Sequence, residues 1–201
     1  MKEKKSLGLK IIAFADTHGY FAKRERFSEF IYQHPQYDLC LLLGDHSPED
    51  VDMILQYVPD YKILGVLGNH DSVDLYKNFR LEHIDLHGKC VEVKGIKIAG
   101  IEGSHRYKRG EWPMLTQEES LELVNEMLEN YEKADILISH DKPFEKEEYD
   151  IAHTGLKGIT RYIKEASPAY HLHGHYHTSF TREIENNTIS KCIHLAEYLE
   201  I

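Results

Sequence analysis

Apolar runs of four to six residues recur along the chain, at residues 11–15, 39–43, 63–67, 96–101 and 136–139. They are rich in Ile, Leu and Val and bounded by Gly or polar residues, as strands buried on both faces are. Such strands need a packed layer on each side, which narrows the fold to stacked sheets and helices. Helical patterns fall between several runs. Residues 24–33 carry Phe27, Phe30 and Ile31 on one side, and Pro48 opens a helix over 49–57 at a favoured first-turn position. Thr116 and Glu119 have the spacing of a capping box ahead of Leu121, Val124, Leu128 and Tyr131. A helix over 158–166 stops before Pro168, and residues 170–199 read as short strands around an Asn186-Asn187 turn. The expectation is an α/β layered sandwich with partly mixed sheets. At 201 residues it forms one domain spanning 1–201.

The residues that follow these strands carry the chemistry. In open α/β sheets, ligands gather at the carboxyl ends of strands. Here the first run ends in Asp16-Thr17-His18-Gly19, the second in Gly44-Asp45-His46 and the third in Gly68-Asn69-His70-Asp71. Residues 136–139 lead into His140-Asp141, and 170–173 into Gly174-His175-Tyr176-His177. In extended chain, residues i and i+2 point the same way, so Asp16 and His18 can converge on one ion, as can His175 and His177. Gly44, Gly68 and Gly174 each precede a candidate ligand, where a missing side chain admits close backbone approach. Oxygen and nitrogen donors without cysteine suit manganese, iron, zinc or cobalt better than calcium. Asp16, His18, Asp45, Asn69, His140, His175 and His177 are too many for one ion and about right for two that share a carboxylate.

The order D-x-H, G-D, G-N-H-D, H, G-H-x-H over residues 16–177 resembles the calcineurin-like metallophosphoesterases. The resemblance implies a double β-sandwich flanked by helices. It implies a first metal on Asp16, His18 and His177, and a second on Asn69, His140 and His175, with Asp45 bridging. His70 is then the general acid and Asp71 positions its ring. The implied cofactors are two divalent ions, manganese first, with iron, zinc, cobalt or nickel as alternatives. The expected reaction is hydrolysis of a phosphoester, a phosphodiester first, by in-line attack of a metal-bridging hydroxide. A phosphomonoesterase, a short-oligonucleotide nuclease and a non-catalytic metal-binding scaffold are the alternatives. The scaffold resembles the retromer subunit of this fold, which lacks the catalytic histidine that His70 supplies here. Residues 100–110, with Ser139-His140-Asp141-Lys142-Pro143, also resemble the RNA-lariat debranching branch and imply a nucleotide-like substrate. The chain departs from that branch at Asp16, where Cys is frequent, and in its shorter length.

Composition limits the partners. A net charge of −10 opposes binding to long nucleic acid, which needs a basic face. No stretch of 18 apolar residues is present, so no membrane span is expected. Lys2, Lys4 and Lys5 precede an apolar run, but Lys10 breaks it and no cleavage site follows, so it reads as the first strand. Cys40, Cys90 and Cys192 lie far apart and suit free thiols in a reducing cytoplasm. The expected partner is a small phosphoester, and the sequence leaves the oligomeric state open. His105 to Arg109 form the one basic cluster, either a solvated loop or a phosphate grip through Arg106 or Arg109. Tyr107 and Trp112 are packing groups or stacking platforms. His171 and His173 support the ligands or pack, and His46 is structural or reaches substrate. Residues 141–154 are a lid or a simple connection.

Overall fold

The computed structural model describes residues 6–131, 133–146 and 149–201. Lys2, Lys4, Lys5 and the middle of 141–154 therefore lie outside the described residues. Among the described residues there are twelve strands: β1 (Lys10–Ala15), β2 (Leu39–Leu42), β3 (Ile63–Gly65), β4 (Cys90–Val93), β5 (Ile96–Ile101), β6 (Ser104–His105), β7 (Met114–Leu115), β8 (Ile136–Ser139), β9 (Tyr170–His173), β10 (Phe180–Glu183), β11 (Ile189–Cys192) and β12 (Leu195–Glu200). The α-helices are α1 (Arg24–Gln33), α2 (Pro48–Tyr57), the single turn α3 (Leu75–Asn78), α4 (Gln117–Asn130) and α5 (Lys157–Ala166).

Two main sheets stack, one in the order β12-β1-β2-β3 and the other β10-β11-β9-β8-β5-β4. Strand alternation builds four layers from them. Ile11, Ala13 and Ala15 of β1 face inward with Leu39 and Leu41, meeting Ile98, Ile136, Ile138 and Leu172 of the second sheet. Ile12, Phe14, Cys40 and Leu42 face outward and are covered by Phe27 and Ile31 of α1 and Val51 and Ile54 of α2. On the far side, Ala99, Ile101 and Leu137 pack under Val124 and Met127 of α4 and Ile159, Tyr162 and Ile163 of α5. Burial on both faces explains why these strands read as continuous apolar runs.

The sheets are mixed, as expected. β1, β2 and β3 run parallel, and so do β5, β8 and β9, while β12 pairs antiparallel with β1 and β4 with β5. The Thr116–Glu119 capping box forms at α4. A second one, Ser47 with Asp50, caps α2 beside Pro48. The third strand is shorter than the apolar run: its ladder ends at Gly65, where Leu86 N takes the glycine carbonyl at 2.9 Å. All three cysteines are free thiols. Among the described residues, no helix is long and apolar enough to cross a membrane.

Candidate metal centre

The carboxyl ends of β1, β2 and β3 in one sheet and of β8 and β9 in the other meet at one edge. Backbone bonds stitch the loops there: Asp16 N donates to Gly44 O, His18 N to Asp45 O and Gly174 N to His140 O. Asp16, His18, Asp45, His175 and His177 all adopt positive φ, between 41° and 73°. Each loop thus turns sharply off its strand, a conformation that costs about 1–3 kcal/mol at a non-glycine residue unless its surroundings impose it.

The sequence-derived ligands largely converge. Asp16, His18 and His177 bring ligand atoms within 4.8 Å of one another, and so do Asp16, Asp45 and His140. Asn69 and His175 lie outside those two groups and reach His140. Asn69 Oδ1 is 3.0 Å from His140 Nε2, and the His140 and His175 ring centroids are 4.9 Å apart. The carboxylates divide their oxygens. Asp16 Oδ2 accepts from His175 N at 2.8 Å and Asp45 Oδ1 from His70 N at 2.8 Å. Asp16 Oδ1 and Asp45 Oδ2 are buried and accept no hydrogen bond among the described residues. Two orphaned anionic oxygens amid imidazoles fit divalent cations, since buried charge is otherwise paired or neutralised.

Neighbouring groups choose the ligand nitrogens. His140 Nδ1 donates to Leu43 O at 2.8 Å, which leaves Nε2 towards Asp45 and Asn69. His175 Nε2 donates to Ala152 O at 2.8 Å, which leaves Nδ1 for a ligand. Residues 151–153 therefore back the site: the His153 ring lies 4.7 Å from that of His175, and Tyr176 donates to His153 O. Burial works against charge at this edge, but the imidazole of His140, 3.5 Å from Asp45 Oδ2, holds the Asp45 carboxyl well below the usual carboxylate range. Against its own burial, His140 rises to about 10 through Asp45 and Asp16. Burial and His140 push His175 down to about 3, and burial raises the Asp16 carboxyl.

Glycines admit these contacts. A Cβ on Gly68 would stand 2.2 Å from Asp45 Oδ1, and one on Gly44 2.5 Å from Gly68 N. Gly174 is less tightly enclosed but still crowded, with its Cβ position 2.8 Å from Ala15 Cβ.

The remaining sequence-derived residues take other places. His70 is exposed on the wall of a cavity of about 730 Å³, beside His18 and Asp45. Asp71 was expected to orient the His70 ring. Its carboxylate instead accepts from three backbone amides, Asp45 N at 2.9 Å, His46 N at 2.7 Å and Gly68 N at 2.7 Å. No hydrogen bond joins it to the His70 ring among the described residues, and it latches the second loop to the third. Arg106, one of the two residues offered for a phosphate grip, bonds Met114 O and Glu119 Oε2, while Arg109 is exposed. Tyr107 OH accepts from Asn69 Nδ2 at 3.0 Å. His171 is buried between Ser139 and Ser190, and His173 donates to Gly174 O.

One supporting residue escaped the sequence reading. Asp50 is fully buried and accepts from Thr17 Oγ1 at 2.7 Å, Gly19 N at 2.6 Å, Phe21 N at 2.8 Å and Ser47 N at 3.2 Å. It grips both neighbours of His18. Because Thr17 Oγ1 donates to Asp50, it accepts from His46 Nδ1 at 2.8 Å, so His46 is tied into the same chain. The Ser-x-x-Asp spacing at Ser47 was its visible signal.

A family model described as calcineurin-like phosphoesterase matches residues 9–179. Similar folds include TT1561 of Thermus thermophilus, with TM-score 0.67 and 15% identity, covering 96% of this chain and 98% of that one. A dimetal phosphatase from Danio rerio gives 0.62 at 12% identity, over 93% of this chain and 87% of that one. A 5'-nucleotidase from Candida albicans gives 0.56 at 12%, over 94% of this chain but 45% of its own. No curated protein matches the chain in sequence.

Proposed function

The chain belongs to the calcineurin-like phosphoesterase family, and on that premise we propose that it is a dinuclear metal-dependent phosphodiesterase. The observation that carries this reading is the pair of ligand groups sharing Asp16, each with an orphaned carboxylate oxygen, beside His70. Asp16, His18 and His177 would hold one ion and Asn69, His140 and His175 the other, with Asp45 between them. Divalent ions in such a pair, manganese first, supply an activated water and neutralise charge on the phosphoryl oxygens. His70 stands at the cavity wall, where its imidazolium can protonate a departing alkoxide, a role typically worth about 10²–10⁴-fold. Asp45 fixes its backbone through His70 N. Asp74 and Glu111 line the same cavity. Their negative charge disfavours a dianionic monoester relative to a monoanionic diester, which favours diester chemistry. Three free thiols suit a reducing compartment such as the cytoplasm.

The test is hydrolysis of paired chromogenic diester and monoester substrates by chelator-stripped protein with manganese restored. Manganese-dependent turnover of the diester over the monoester is expected. His70→Ala should bind manganese as wild type does and lose most turnover of esters with poor leaving groups. Turnover of the monoester alone would move the activity to a phosphatase. Two bound ions without turnover of either would leave a metal-binding scaffold.

A further inference from the structure

The cavity beside His70 has one aromatic wall, and that wall is the only tryptophan of the chain. Trp112 is 40% exposed, a large fraction for an indole. It is nonetheless held. Lys108 Nζ lies 3.8 Å from the indole centroid and covers one face. Gly110 sits so near the ring edge that a Cβ there would be 3.0 Å from Trp112 Nε1. The loop that carries it is anchored at its base, where Arg106 N donates to Leu115 O and the Arg106 guanidinium bonds Met114 O and Glu119. Tyr107 ties the same loop to Asn69. The basic cluster is thus a mount that fixes an indole at a set position relative to the metal ligands.

Beyond the imidazoles of His18, His46 and His70, the rest of the cavity wall offers hydroxyls and carboxylates. Among the described residues it has no lysine or arginine, while Ser47, Ser72, Asp74 and Glu111 line it. At about 730 Å³ it lies within the size range of sites for drug-sized ligands. We propose that Trp112 is the stacking platform for the alcohol part of the substrate, which carries a flat ring with N–H or O–H donors and a single phosphoryl group. This chemistry is that of a monoanionic phosphodiester of a nucleoside, for which a nucleoside monophosphate is the non-hydrolysed probe, and it rests on the phosphoesterase reading for the place of the phosphoryl group. Asp74 and Glu111 meet the donors of the ring or sugar and repel a second phosphate.

The chain has one tryptophan among many tyrosines, so fluorescence excited selectively at the indole reports on this wall. Manganese-loaded protein is titrated with adenosine 5'-monophosphate, adenosine 5'-triphosphate, glycerol phosphate and inorganic phosphate, by fluorescence and by calorimetry. The nucleoside monophosphate should quench saturably and bind about 5- to 100-fold more tightly than the ringless phosphates, with the triphosphate no tighter. Trp112→Ala should erase that advantage and Trp112→Phe keep most of it. Equal affinity for ringed and ringless phosphates, or an advantage that survives in Trp112→Ala, overturns the platform. Tighter binding of the triphosphate overturns the single-phosphoryl class. Quenching without turnover of any ester would remove the enzyme reading and support the platform. Turnover without a nucleotide advantage would do the reverse.

Discussion

Asp50→Asn tests how the first metal loop is held. The carboxylate has three donors on Oδ2, from Thr17, Gly19 and Ser47, and one on Oδ1, from Phe21. An asparagine keeps the volume and can place its oxygen where Oδ2 stands. Its amide then faces Phe21 N, donor against donor, in a site with no solvent access. The stranded amide costs about 1–3 kcal/mol, and the three retained bonds lose their charge assistance. The expected destabilisation is therefore about 3–4 kcal/mol, a large share of a total near 5–15 kcal/mol. The second readout is metal affinity. His18 lies between Thr17 and Gly19, so a loosened loop should weaken manganese binding about 10- to 100-fold, as loss of a ligand's supporting group does. Urea unfolding of the metal-free protein gives the first quantity and calorimetry the second. Asp52→Asn, exposed on the same helix, is the control and should stay within about 0.5 kcal/mol. Unchanged manganese affinity in Asp50→Asn, with the loss of stability present, would show that His18 holds its place without Asp50. A loss below about 1 kcal/mol would refute the four-donor arrangement itself.

Gly68→Ala should abolish metal binding or folding, because its Cβ would sit 2.2 Å from the Asp45 carboxylate; a soluble variant with wild-type manganese affinity would contradict the crowding. Glu102 supplies a pH dependence. Burial first, then Asp85 and Asp71, push its carboxyl from 4.5 up to about 7, so the fold binds a proton that the unfolded chain releases. Its stabilisation is complete below the ordinary carboxyl range and is lost as pH rises through about 7. Glu102→Gln should flatten the stability profile between pH 5 and 8 and gain up to about 3 kcal/mol at the alkaline end, measured by urea midpoints across pH. Manganese at about 100 times its Kd should stabilise the stripped protein by about 2.7 kcal/mol; His140→Ala should lose most of that gain in the same unfolding assay.

The layers were legible because their causes are local. Residues 96–101 and 136–139 match β5 and β8, residues 24–33 match α1, and the Thr116–Glu119 spacing marks the start of α4. Asn186 and Asn187 take the left-handed turn that their side chains tolerate. Cys90–Val93 carries no strand signal in the sequence: it is only partly buried, so it lacks the continuous apolar run of the central strands. The antiparallel pairing of β12 with β1 depends on a partner about 190 positions away, which no local pattern encodes. The ligand types were legible for the same reason as the strands, since each follows an apolar run. Their supports were not. Ala152 offers a backbone carbonyl to His175 from a segment without regular sequence periodicity. Asp71 binds amides up to 26 positions away instead of the ring beside it.

Those supports explain how the centre tolerates its own backbone. Positive φ is uncommon for any residue that carries a side chain, though aspartate and histidine tolerate it better than most, and Asp16, His18, Asp45, His175 and His177 all adopt it. Glycine would remove the strain and with it the ligand. The alternative realised here is to hold each turn from outside. Asp50 grips the chain on both sides of His18, Asp71 takes the amides of Asp45 and His46, and Asp16 takes that of His175. Asp16 and Asp45 accordingly have two functions at once, one oxygen fastening a neighbouring loop and the other left bare and buried. Replacing either by asparagine could keep the fastening, with the amide oxygen accepting from the backbone. It would then place an NH2 group where the orphaned oxygen stands, so the loops would stay in place and the cation would be repelled. Fold and metal affinity should separate in these two variants, whereas in Asp50→Asn they fall together.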